Sequence, residues 1–163
     1  MPPQPELDPV DGLAQLSFVI MGLLERRAAE RDLSIAATRL LGVLRDREPT
    51  MQELARFLDL DKSSVSGLVD RAERRGLVAR APSPADRRAV LVRLTDEGRS
   101  LVTEAAGLFA ADVTTWLGEL APEDRATLSR LVSSLLVARA ASHGIDLFAA
   151  TPVSTGDHGS PGD

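Results

Sequence analysis

The fold is decided by one stretch of the chain, residues 54–80, which reads LARFLDLDKSSVSGLVDRAERRGLVAR. A capping box of Thr50 and Glu53 precedes it and opens a short helix that ends near Leu58. After a turn at residues 59–61, Asp61 caps a longer helix that Gly76 ends. Its buried stripe is Val65, Leu68, Val69 and Ala72. Two such helices joined by a tight turn predict a helix-turn-helix.

The outward face of the longer helix has the composition of a DNA-reading surface. Its first turn carries small side chains that can form hydrogen bonds, which suits contacts with base edges. Its later turns carry basic side chains, which suits contacts with the flanking phosphates. An ordinary surface helix with serines near its cap is the alternative. The predicted DNA contacts on this helix are Lys62, Ser63, Ser64, Ser66, Gly67, Asp70, Arg71, Arg74 and Arg75, with phosphate contacts from Thr50 and Gln52 of the preceding helix.

A β-hairpin with a basic tip follows the helix-turn-helix. Residues 77–81 and 90–94 are short aliphatic runs, and they flank a loop with two prolines at residues 82–88. Asp86, Arg87 and Arg88 form the tip, where an arginine can enter a neighbouring minor groove while Asp86 fixes the tip through an arginine. A hydrophilic loop without a partner is the alternative. The hairpin is therefore predicted to be a DNA-binding wing.

Helices are predicted on both sides of this lobe. One runs from about Val10 to Glu30, a second begins after Ser34, another reaches about Trp116, and a last one runs from Pro122 to Gly144. The expected organisation is a disordered N-terminus at 1–9, a winged helix-turn-helix lobe at 33–98, dimerisation helices at 10–32 and 99–145, and a disordered tail at 146–163. The fold class is mostly α with a small β-hairpin wing.

Charge is distributed unevenly along the chain. The 163 residues carry a net charge of −5. Residues 61–93, however, hold eight basic and four acidic residues, so this stretch carries +4 and the remainder −9. A basic patch on an acidic body indicates a localised phosphate contact. Cysteine is absent, which excludes a disulfide framework and thiolate chemistry. No signal peptide or bilayer-spanning apolar run is found, so a cytoplasmic protein is expected.

Residues 54–80, together with the segment DRRAVLVRLTDEG at 86–98, resemble the multiple-antibiotic-resistance regulator (MarR) family. The resemblance runs from about Leu13 to Ala140, and the tip with the following Leu-Thr-x-x-Gly resembles the family's wing signature. It implies an obligate homodimer that binds a promoter operator and usually represses until a small ligand releases it. Gly67 and Ala72 depart from the family, which often has a larger polar residue and a leucine there. Less base readout is expected at Gly67.

The helices at both ends of the chain carry more apolar side chains in their stripes than one small lobe can bury. This excess predicts a two-fold interface between two copies of the chain. Packing within the monomer alone is the alternative. The candidate dimerisation residues are Leu13, Leu16, Ile20, Leu128, Leu131 and Leu135. The resemblance also implies a small anionic or aromatic ligand between the lobe and the dimerisation helices, with Arg39 as a possible carboxylate partner. A phosphate contact or a surface charge is the more common role for such an arginine.

Two other function classes fit less well. An enzyme would need a nucleophile, a base and an orienting group in one pocket, yet neither His143 nor His158 lies near a serine in a glycine-flanked turn. Neither histidine suits a zinc site, and no phosphate-cradling glycine loop is present, so no metal or cofactor is expected. A winged helix used only to bind proteins is the second alternative, and it would lack salt-sensitive DNA retention. The partners expected are double-stranded DNA and a second copy of the chain.

Overall fold

The computed structural model describes residues 7–84 and 88–141. The elements are α1 (Pro9–Ala29), α2 (Ile35–Leu44), α3 (Met51–Leu58), α4 (Lys62–Arg74), β1 (Val78–Pro82), β2 (Val90–Leu94), α5 (Asp96–Leu117) and α6 (Pro122–Ala141). The mostly helical class with one antiparallel hairpin is confirmed. In the described part of the chain, no helix is both long and apolar enough to cross a membrane.

Side chains begin the helices where the sequence predicts. The hydroxyl of Ser34 accepts from the backbone of Ala37, and Thr50 and Glu53 form the reciprocal capping box of α3. Asp61 caps α4 through the backbone N–H of Ser64 at 2.9 Å. Each cap satisfies a backbone donor that the first helical turn leaves without a partner.

One core holds the lobe together. Leucines of α2 and α3, the predicted stripe of α4, and residues from both strands and from the start of α5 are all buried in it. The stripe positions Val65, Leu68, Val69 and Ala72 are at most 5% exposed, so the predicted inner face of α4 is confirmed.

The first strand begins one residue later than the sequence indicates. The N–H of Leu77 donates to the carbonyl of Ala72 at 3.0 Å, which closes the end of α4, while Gly76 takes a positive φ of 71°. Leu77 therefore belongs to the helix termination and buries its side chain in the core. On the other side of the hairpin, the N–H of Val92 donates to the carbonyl of Pro49 at 2.9 Å, which fixes the start of α3 against β2.

The two terminal helices leave apolar side chains uncovered. Leu131 and Leu135 of α6 are 55% and 54% exposed, and Leu13 and Leu16 of α1 are 51% and 43% exposed. Ile20 and Leu128 are half-buried. The monomer as described therefore does not bury the stripes of α1 and α6.

Candidate nucleic-acid interface

The outward face of α4 carries the residues predicted to contact DNA. Lys62, Ser63, Ser64, Arg71, Arg74 and Arg75 are exposed, and Ser66, Gly67 and Asp70 are half-buried. The helix thus presents one polar face opposite its buried stripe, and the packing of the stripe fixes the direction of that face.

A hydrogen-bonded cluster forms the first turn of α4. The hydroxyl of Ser63 donates to Asp61 at 2.5 Å, and that of Ser64 donates to the same carboxylate at 2.6 Å. These two hydroxyls, followed by the N–H of Ser64, hold the pKa of Asp61 well below its usual range. Asp61 is therefore charged at neutral pH, and it orients both serines at the start of the helix.

The cations of the later turns differ in their partners. Arg75 donates to the backbone carbonyls of Arg31 and Asp32, which fastens the end of α4 to the turn between α1 and α2. Neither Arg71 nor Arg74 has a side-chain partner anywhere in residues 7–84 and 88–141. The donors of Arg71 and Arg74 are thus available to an external acceptor, while those of Arg75 are engaged within the monomer.

An ion-pair cluster joins the hairpin to α4. Arg80 of β1 donates to Asp70 at 2.6 Å and pairs with Glu73, whose carboxylate also accepts from the backbone of Arg80 at 3.3 Å. Asp70, a predicted DNA contact, thus lies against the wing strand. Arg80 was not predicted as a site residue, and the available signal was an arginine on a strand that directly follows a helix with two carboxylates, Asp70 and Glu73.

The two strands of the hairpin pair continuously from the end near α4 to the loop that joins them. Val78 pairs with Leu94, and the last pair is Pro82 with Val90, beyond which Ser83 donates to Ala89 at 3.0 Å. Arg88 is exposed. Asp86 and Arg87, the other two predicted tip residues, lie outside the described residues.

The predicted phosphate contacts on α3 occupy different surroundings. Gln52 is exposed on the first turn of the helix. Thr50 is half-buried, and its hydroxyl donates to Glu53 at 2.8 Å while it accepts from the N–H of Glu53 at 3.2 Å. The hydroxyl of Thr50 is therefore engaged within the capping box.

A cavity of about 260 Å³ lies between the lobe and the helices α1 and α5. Its walls are mostly apolar, with Leu24, Val102 and Phe109 among them. Arg39 also lines it, and its guanidinium donates to the carbonyl of Leu58 at 3.1 Å. Three further arginines line it and are paired, Arg27 with Asp112 at 2.6 Å, Arg31 with Glu104 at 2.8 Å and Arg45 with Asp46 at 2.7 Å. Where the structure describes the chain, no three acidic, histidine or cysteine side chains are grouped to hold a metal ion.

Comparison with known proteins agrees with this architecture. The sequence model of the MarR family matches residues 31–89. The transcriptional repressor NicR of Pseudomonas putida is 35% identical over 81 residues, which are 49% of this chain and 51% of NicR. The chain therefore spans about half the length of this curated relative.

Solved structures match over most of the chain. Wild-type MarR from Escherichia coli in its apo form is 28% identical, with a TM-score of 0.66, and the match covers 80% of this chain and 99% of that one. NadR in complex with 4-hydroxyphenylacetate is 25% identical, with a TM-score of 0.67, over 83% of this chain and 97% of NadR. NicR is named as a transcriptional repressor, which agrees with the expectation of a regulator rather than an enzyme.

Proposed function

We propose that this chain is a homodimeric, sequence-specific DNA-binding regulator of transcription, because it has a winged helix-turn-helix whose residues 31–89 match the sequence model of the MarR family. The observation that carries the proposal is the outward face of α4. Its oriented serines are followed by Arg71 and Arg74, whose donors have no partner in the described residues, beside a hairpin with a basic loop. That arrangement suits a helix in a major groove with a wing on the adjacent backbone or minor groove. We place the protein in the cytoplasm, with the DNA that it binds.

The operator we propose is an inverted repeat. A two-fold dimer presents two copies of α4 related by the same axis, so the half-sites must be related by that axis as well. Their centres lie roughly 10 base pairs apart or at a multiple of that distance, because the two helices must enter the groove on one side of the duplex. Repression is the simplest outcome of a dimer bound at such a site, and NicR is itself a repressor.

The cavity between the lobe and the helices α1 and α5 supports release by a small ligand. Its apolar walls suit an aromatic ring, and Arg39 among its lining residues suits a carboxylate. NadR has been solved with 4-hydroxyphenylacetate, a molecule with both features. We propose a ligand of this class for the cavity, with DNA affinity lowered when it is bound.

The wing supplies the test of this function. Replacing Arg87 with alanine removes one cation per subunit from the loop that joins β1 and β2. We expect weaker binding to every operator variant, and a slope of log affinity against log salt that falls by roughly 1 for each subunit. Ser64→Ala removes no charge, so its slope stays unchanged, while its loss of about 1–3 kcal/mol is confined to one operator position if the serine reads a base.

The measurement is a salt titration of operator affinity for each variant, with dimer size and circular dichroism checked first. Arg125→Ala, on the exposed first turn of α6, removes the same charge far from the hairpin and serves as the control. A dimeric Arg87→Ala variant with wild-type affinity and slope would show that the wing does not contact DNA.

A further inference from the structure

The middle of the proposed DNA-reading face has no side chain. Val65 and Val69 are both fully buried, and Gly67 lies two residues from each of them. Two residues correspond to about 200° around an α-helix, so Gly67 is directed away from the core. In a helix that lies in the major groove, this is the position closest to the base edges. A glycine there leaves an open gap rather than a contact.

Arg71 lies over this gap. A Cβ built on Gly67 would be 3.4 Å from Nη1 of Arg71. Long side chains of a helix point toward its N-terminus, so Arg71 extends back by one turn to reach position 67. Its guanidinium is exposed and has no hydrogen-bond or ion-pair partner among the residues that the structure describes.

The surroundings keep the guanidinium available. Asp70, the nearest carboxylate along the helix, pairs with Arg80 and is therefore engaged by another cation. A cavity of about 390 Å³ lies beside Arg71, lined by Ala36, Leu60, Ser63, Ser64, Gly67 and Leu68. It provides room for an acceptor next to the arginine, between α4 and the first turn of α2.

We propose that Gly67 and Arg71 together read a guanine, with the Arg71 guanidinium donating to O6 and N7 of the base through the gap at Gly67. An arginine fork matches the paired acceptors that guanine presents in the major groove. This inference rests on the proposed DNA-binding function. The sequence alone predicted less base readout at Gly67. In this proposal Arg71, one turn later, contacts the base in place of a side chain at position 67.

The test compares variants of both residues on the duplex that the wild-type chain selects from random-sequence DNA. Arg71→Lys keeps the charge and removes the fork, so affinity is expected to fall about 10- to 100-fold with an unchanged salt slope. Replacing the contacted guanine with 7-deazaguanine, which lacks the N7 acceptor, lowers wild-type affinity and has no further effect on Arg71→Lys.

Position 67 offers a matched pair of variants. Gly67→Ala places only a methyl group at ordinary contact distance from Arg71, so the dependence on guanine N7 is retained. Gly67→Gln fills the gap and displaces the guanidinium, so the dependence is lost. Circular dichroism and dimer size confirm that each variant is folded.

Two results would overturn the proposal. If Arg71→Lys binds as wild type does, and Arg71→Ala weakens all duplexes equally while lowering the salt slope, Arg71 contacts a phosphate and the proposed function stands without guanine reading. If the wild-type chain selects no sequence at all from the library, the proposed function fails and guanine reading fails with it.

Discussion

A chain in which Leu131 and Leu135 are both replaced by aspartate is expected to be a folded monomer that has lost operator binding. The two leucines are more than half exposed in the monomer and lie one turn apart on α6. Across a two-fold interface the substitution buries four carboxylates, and the desolvation of each costs several kcal/mol. The dimer therefore dissociates, while the lobe keeps its own core.

Light scattering measures the mass of the double variant directly. The wild-type chain is expected at twice its 17.4 kDa and the variant at 17.4 kDa. A monomer binds one half-site at a time, so operator affinity should fall by about 10²–10⁴-fold. Ala126→Asp with Ser133→Asp adds the same two charges on the other side of α6 and should leave the dimer intact. If the double leucine variant stays dimeric, these leucines of α6 do not form the dimer interface.

The second large effect is expected at Gly98, in the first turn of α5. A Cβ at this position would lie 1.9 Å from the carbonyl oxygen of Leu77 and 2.9 Å from its carbonyl carbon. Both are backbone atoms, and the same carbonyl accepts from the N–H of Thr95 at 3.1 Å, so the junction has little freedom to shift. Gly98→Ala must therefore separate α5 from the residue that closes α4. Overpacking of this kind costs about 1–3 kcal/mol, and a clash with backbone belongs at the upper end of that range.

Gly107 supplies the matched control on the same helix. A Cβ there meets nothing within 4 Å, so Gly107→Ala should stabilise the protein by up to about 1 kcal/mol through helix propensity. Urea unfolding of the two variants at equal protein concentration compares them. If Gly98→Ala unfolds at the same urea concentration as Gly107→Ala or above it, the close approach of α5 to Leu77 is not tight in solution.

Local features of the lobe could be predicted from the sequence. Ser34, Thr50 and Asp61 cap helices because their side chains bond to backbone within three residues, and such signals need no tertiary structure. The buried stripe of α4 follows in the same way from helical periodicity.

Contacts between residues distant in sequence were not predicted. Arg80 reaches Asp70 and Glu73 only once the hairpin has folded against α4, and Arg75 reaches carbonyls more than 40 residues away. The bond from Val92 to Pro49 is of the same kind. Periodicity and propensity carry no information on such pairs, so three arginines of similar appearance, Arg71, Arg75 and Arg80, differ in role only in the folded chain.

Whether the chain reads DNA can be measured with the unmodified protein. Fragments of its own genome are incubated with the purified dimer at a series of salt concentrations, and the retained fragments are sequenced. We expect a small set of fragments that share one inverted repeat, with retention falling steeply as salt rises because phosphate contacts release counterions. Retention of no fragment above the others at any salt concentration, by a folded and dimeric protein, would contradict a sequence-specific regulator.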